Sequence, residues 1–267
     1  MKRATTSLFL ALASFWSSGA IAFSYDSYTQ ILAAAQRADK QLVAVMAPSE
    51  DINFHSYQTL PYNPNKLHAI YSKYGRHIPT EVRQVLSKKG YDQTQFVLRS
   101  GGFGKVLINN IPNAYAELYQ AAKAEKEIEI KLALTAYLTH LTVQSYQPIS
   151  KVVFFDHREF SRGDGGGAQY CLFKAKNTSP KCRYNLRRYW FSYLDGYTFD
   201  VESNLPPLPI ETVIENAANQ SVYAYSVRPY TIPSPAYREK TFDVLSNQAD
   251  LAASHILYLW RDIFTTY

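Results

Sequence analysis

Apolar side chains recur along the chain at intervals that suit helices far more than strands, and they predict four long helical stretches. Residues 28–45 are Ala-rich, lack Gly and Pro, and read as a first helix closed by Pro48. Residues 113–143 give the clearest signal. Leu118, Ala122, Ile128, Leu132, Thr135, Leu138 and Thr139 share one face, the charged run Lys123 to Lys131 takes the other, and a break near Glu125 divides the stretch into two candidate helices. Residues 210–224 read as a further helix. Residues 236–264 read as the last, with Phe242, Leu245, Ala249, Ala252, Ala253, Ile256, Leu259 and Ile263 along its inner face.

Shorter signals lie between these. Residues 79–88 read as a helix led by Pro79 with Gly90 just past its end, and residues 183–194 as a short aromatic helix. Ser100 to Gly104 reads as a plain turn, because a phosphate-cradling loop needs Lys-Ser/Thr after its last Gly and Lys105-Val106 follows here. Residues 51–64 and 156–167 read as loops, and residues 205–209 and 230–235 as Pro-rich connections. With few period-two runs, the expected fold is all-α: one mostly helical domain with long irregular loops.

Composition narrows this picture. The 267 residues, 46% of them hydrophobic and 19% charged, suffice for a substantial core and exclude a disordered or fibrous chain. The 22 Tyr, 14 Phe and 3 Trp make an aromatic content of 15%, which suits a wet helical interface or a ring-lined groove, though most of these rings are expected in the core.

Residues 1–22 carry the features of a bacterial secretory signal. Lys2 and Arg3 precede an apolar run from Leu8 to Phe15, and Ala20-Ile21-Ala22 supplies the small residues a signal peptidase inspects, so cleavage would expose Phe23 and leave a domain over residues 23–267. Removing Lys2 and Arg3 lowers the formal charge from +6 to +4, too little to argue for duplex DNA binding. No apolar run reaches bilayer length, so the expectation is a periplasmic or secreted protein without stable membrane insertion. Export also favours pairing of the two cysteines, Cys171 and Cys182, as a disulfide over two reduced thiols.

Three motifs then stand in order. His140-Leu141-Thr142-Val143-Gln144-Ser145-Tyr146-Gln147-Pro148-Ile149-Ser150 resembles H-x-x-G-D-x-H-Q-P-L-H, Gly163-Asp164-Gly165-Gly166-Gly167-Ala168 resembles G-D-x-G-G-N, and Asn185-Leu186-Arg187-Arg188-Tyr189-Trp190-Phe191 resembles N-L-H-x-x-W-D. Together with the ending from Tyr237-Arg238 to Leu259, this resembles the zinc-dependent single-strand nucleases and 3′-nucleotidases of the P-one and S-one type, whose mostly helical fold is shared with bacterial zinc phospholipase C. The resemblance covers residues 132–264 well. Upstream it thins, Ser56-Tyr57-Gln58-Thr59-Leu60-Pro61 offering Ser where H-Y-x-x-x-P has its ligand His, with His55 one position off and Asp51 a loose match for a further ligand.

The resemblance implies three zinc ions held by His, Asp and an N-terminal Trp, and it is at those positions that this chain departs. Only His140 keeps its ligand type; Gln144, Ser150, Arg187 and Phe191 stand where Asp, His, His and Asp are expected, and Phe23 stands for the Trp. The expectation is therefore no catalytic residue, no metal and no cofactor: an exported pseudoenzyme. Arg187 and Arg188, with rings at Tyr146, Tyr189, Trp190 and Phe191, form a candidate site in the former cleft for phosphate-bearing ligands such as a nucleotide or single-stranded nucleic acid. Arg187, Arg188, Tyr146 and Phe191 are its expected lining, against the alternative that Arg187 pairs with Asp164 or Asp195 and closes it. Two further classes stay open. One is an active endonuclease or 3′-nucleotidase-like hydrolase with a metal site rebuilt from Asp156, His157, Glu159 and Asp164; the other is an interaction protein without a cleft ligand.

Overall fold

A computed structural model describes residues 23–47, 96–99, 102–105, 111–173, 182, 184–199, 201 and 206–265. The secretory segment at 1–22, the loop at 51–64 and the short helix expected at 79–88 lie outside the described residues. The protein is mostly helical. Among the described residues its helices are α1 (Tyr25–Ala38), α2 (Lys40–Met46), α3 (Ile111–Ala124), α4 (Ile128–Ser145), α5 (Leu186–Phe191), α6 (Ile210–Ala224) and α7 (Pro235–Phe264), with a 3-10 turn at Pro148–Lys151.

Local chemistry explains where these helices begin and end. The Ser24 side chain accepts the Ser27 N–H at 3.0 Å and starts α1 three residues earlier than the Ala-rich pattern suggests. The single helix expected over 28–45 is two, because Asp39 leaves helical geometry and its carboxylate accepts the Leu42 N–H at 2.9 Å, capping α2. The break at Glu125 is present: its carboxylate accepts the N–H groups of Lys126 and Glu127 between α3 and α4. Pro235 occupies the first turn of α7 behind the Ser234 cap, and α6 spans the expected residues 210–224.

α4 lies at the centre, with every residue from 130 to 145 buried. This corrects the two-faced helix expected from its spacing. Lys131 is buried rather than on a charged outer face; its ammonium donates to the Ile263 carbonyl at 3.3 Å and sits 5.5 Å from the centre of the Phe264 ring. α3, α6 and α7 pack around α4, and α1 packs along α7. On α7 the expected inner face is buried except for Phe242, which is 38% exposed and lies edge-on to Tyr197.

A small sheet was not expected. β1 (Phe96–Arg99) pairs antiparallel with β2 (Gly102–Lys105) and parallel with β3 (Val152–Phe155), so Gly102 to Gly104 belong to a strand rather than a plain turn. Four-residue apolar runs are too short for periodicity to separate strand from helix or loop. Among the described residues no helix is long and apolar enough to cross a membrane.

Cys171 and Cys182 form a disulfide, with Cα atoms 5.3 Å apart. The bridge leads directly into α5, and the Cys171 carbonyl accepts the Tyr230 N–H at 2.8 Å, tying the segment before α5 to the connection before α7. Closing a loop of this length restricts the unfolded chain, so replacing both cysteines by Ala should lower stability by about 2–3 kcal/mol. Urea denaturation of the double variant, with thiol alkylation of the native protein before and after reduction, checks both the pairing and its weight.

Candidate functional site

The three motif segments converge with the start of α1 at the C-terminal end of α4. The edge of the Tyr28 ring meets the His140 ring at a centroid distance of 6.2 Å, and the Ser24 N–H donates to the Phe191 carbonyl at 2.9 Å, joining α1 to α5. Ser150 Oγ donates to the Gln147 carbonyl at 2.9 Å, folding the 3-10 turn under the last turn of α4.

The glycine loop places α5 against this turn. Gly163, Gly165, Gly166 and Gly167 all have positive φ, and the loop wraps the Asp164 carboxylate, which accepts the N–H groups of Phe154, Gly166 and Gly167 at 2.8–3.0 Å and the Tyr225 hydroxyl at 2.8 Å. Burial raises the pKa of this carboxyl above the usual carboxylate range, an upward shift that those hydrogen bonds only partly offset. The loop carbonyls point the other way, towards Arg187. Its Nε donates to Gly166 O at 2.9 Å and a terminal guanidinium nitrogen donates to Gly165 O. A Cβ on Gly167 would stand 2.8 Å from the Arg187 backbone nitrogen, so the tight approach of loop and helix depends on that glycine.

Arg187 thus holds the loop, a role outside both the open guanidinium and the Asp164 or Asp195 salt bridge expected from sequence. Asp195 instead accepts the hydroxyls of Ser24 and Ser27 and latches α1. Arg188 is exposed and Phe191 half-buried on the same helix. Tyr146 is not brought to them: it is buried, and the cavity it lines contains none of Arg187, Arg188 or Phe191. Nor are Tyr189 and Trp190 available to stack on a base. Trp190 is fully buried and donates to the Tyr237 hydroxyl at 2.9 Å, while Tyr189 packs among Tyr184, Tyr193 and Tyr237. The alternation of rings in this helix serves the core.

At the metal positions named by the motifs, His140 and Gln144 are neighbours one helical turn apart, with a nitrogen of each 2.5 Å apart. Behind them lies a residue that sequence reasoning passed over, Lys151, which is completely buried at the end of the 3-10 turn. Its only sequence signal is a Lys inside the run Ile149 to Phe155. Burial lowers the Lys151 pKa to about 7, and burial together with the nearby Lys151 charge lowers that of His140 to about 3. Neutral amide, hydroxyl and phenyl groups beside two cationic side chains do not fit a set of zinc ions, which needs carboxylates and imidazoles to balance its charge. The alternative acidic set does not gather either. Asp156 caps its own turn through the N–H groups of Arg158 and Glu159, Asp164 is enclosed by the glycine loop, and among the described residues no group of three His, Cys, Asp or Glu could hold a metal ion.

Comparison of the chain with protein-family models, with curated proteins and with solved structures finds no match.

The buried bases set a direction for pH dependence. His140 at about 3, His255 at about 4 and Lys151 at about 7 all bind protons more weakly in the folded than in the unfolded chain. Folding therefore gains from the histidines as pH rises from about 3 to 6.5, and from the lysine as it rises from about 7 to 10.4. The melting temperature should climb from pH 4 to pH 9. Lys151→Met should flatten the upper half of that climb, reduce the lower half by relieving part of the His140 shift, and raise stability at pH 7; a profile unchanged by the substitution would contradict this. Gly167→Ala, strained at φ +81° and crowded against Arg187, should cost at least ~2 kcal/mol by denaturant titration.

Proposed function

We propose that the chain is an exported pseudoenzyme with a nuclease-like helical body, in which cationic and neutral side chains occupy the place of the zinc ions, and that it holds phosphate-bearing or nucleotide-like ligands weakly at the former cleft. The observation that carries this reading is the side-chain chemistry at the motif positions: His140 stands beside Gln144, Lys151 is buried close enough for its charge to act on His140, and the Arg187 guanidinium is taken up by the glycine loop. Convergence of the three motif segments with the start of α1 supports the resemblance, since nothing in helix spacing alone requires them to meet. The anion-binding part rests on Arg188 and Phe191. Arg187 helps to set the local charge, but its hydrogen bonds are committed to the loop.

Metal analysis of the purified protein tests the first half. Zinc should be well below one equivalent per chain, a chelator should move the melting temperature by less than ~1 °C, and hydrolysis of single-stranded DNA and of a 3′-nucleotide should equal the blank. Three tightly held zinc ions, or turnover abolished by the chelator, would overturn the reading in favour of an active metal-dependent hydrolase. Titration with a mononucleotide tests the second half: binding should be salt-sensitive and weakened severalfold by Arg188→Ala, a substitution that leaves the Arg187 scaffold in place. No binding at millimolar nucleotide would leave the interaction-protein reading.

A further inference from the structure

Away from the glycine loop, the end of α4 carries a second polar arrangement. The Tyr146 hydroxyl lies 3.1 Å from His255 Nδ1, and the Tyr115 hydroxyl, from α3, lies 2.9 Å from His255 Nε2. His255 is 3% exposed, and burial lowers its pKa to about 4, so the ring is neutral at pH 7. A neutral imidazole has one N–H and one lone pair, so one tyrosine donates to it and the other accepts from it. Both rings also meet the imidazole edge-on, at centroid distances of 5.9 and 6.1 Å. Two buried rings and the half-buried Tyr115 are thereby locked in one orientation.

Tyr146 and His255 of this relay form one wall of a cavity of about 220 Å³ between α6, α7 and the Pro-rich connection before α6. The other walls are mostly apolar, supplied by Pro207, Leu208, Val213 and Leu251, and among the described residues no charged side chain lines the space. An ionic ligand would lose its hydration there without a counter-charge, so the occupant is uncharged. A cavity of roughly 150 Å³ accepts benzene, and this one therefore has room for a single six-membered ring with substituents.

One lining residue selects more narrowly. Gln248 is 6% exposed, lines the cavity, and its side-chain amide makes no hydrogen bond to a described residue. Its polar atoms keep contact with solvent through the cavity, so a ligand entering there must replace that water with hydrogen bonds of its own. The amide presents a donor and an acceptor side by side, which pair with a ring edge offering the reverse order: an N–H next to a C=O. Asn216, exposed at the rim, adds a second amide at the mouth.

We propose that this cavity binds a small uncharged ring bearing adjacent N–H and C=O groups, a lactam or imide, with Gln248 reading that edge and Leu208, Val213 and Leu251 covering the faces. The site is separate from the Arg187 region and does not depend on the nuclease resemblance.

Calorimetric titration with uracil and with 2-pyridone, which share the edge, tests it on the full exported chain. Both should bind saturably with Kd between ~0.1 and ~1 mM, the range reached by ligands of this size. 1,3-Dimethyluracil keeps the ring and both carbonyls but has no N–H, and should bind at least ~10-fold more weakly. Gln248→Leu should weaken uracil to the level of the dimethyl compound. Leu251→Trp, at an exposed position on the mouth, should block all three, and the melting temperature of each variant reports its folding. The proposal is overturned by absence of binding to uracil and 2-pyridone at ~10 mM, by equal affinity for uracil and 1,3-dimethyluracil, or by uracil binding that survives Leu251→Trp.

Discussion

A helix buried on every side must satisfy its own polar groups, and α4 is such a helix. Thr135, Thr142 and Ser145 each return their hydroxyl to the carbonyl four residues earlier, at 2.7–2.8 Å. Thr139 accepts instead from the Trp260 indole of α7 at 3.0 Å, so the polar side of α4 also fixes the position of the longest helix. A buried hydroxyl without a partner costs about 1–3 kcal/mol, so these local bonds make a Thr-rich helix tolerable at the centre of the core. The neighbouring helices follow from this. They pack where α4 presents Leu and Ala, and they are pinned where it presents a donor or acceptor.

Beyond the end of α4, polar partners come from loops. Asp164 does for the 163–167 segment what the Thr hydroxyls do for α4: one buried carboxylate gathers three N–H groups and a tyrosine hydroxyl. The loop so closed turns its carbonyls outward, and these receive the Arg187 guanidinium. α5 is only six residues long and would not persist alone. It is held by this loop on one side, by the α1 latch at Ser24 on another, and by the chain of hydrogen bonds from the Trp190 indole to the Tyr237 hydroxyl and on to the Ala224 carbonyl.

Legibility of the sequence follows the range of the interactions. The bounds of α6, the start of α7 and the break at Glu125 depend on caps and prolines within a few residues, and those were readable. The two-helix reading of residues 25–46 was missed because Asp39 carries neither Gly nor Pro, and only the hydrogen bond to Leu42 shows it to be a cap. The burial of Lys131 and Lys151 was invisible for another reason: a long cationic side chain is assigned to the surface by default, and its enclosure depends on helices distant in sequence. Motif register groups His140, the glycine loop and Arg187, but it carries no information on which way the side chains turn. Arg187 turns to the loop, and Tyr146 turns to His255.

The two ends of this arrangement differ in their charge logic. At the glycine loop, cationic groups collect near the C-terminal turn of α4, where the unpaired carbonyls of a helix end carry a partial negative charge that favours a cation, whether metal ion, ammonium or guanidinium. At Tyr146 the opposite holds. His255 is kept neutral by burial, its two nitrogens are matched to one donor and one acceptor, and the adjoining cavity has no charge to offer. Because both regions hang on the same buried helix, a substitution at either one that leaves α4 packed leaves the geometry of the other in place.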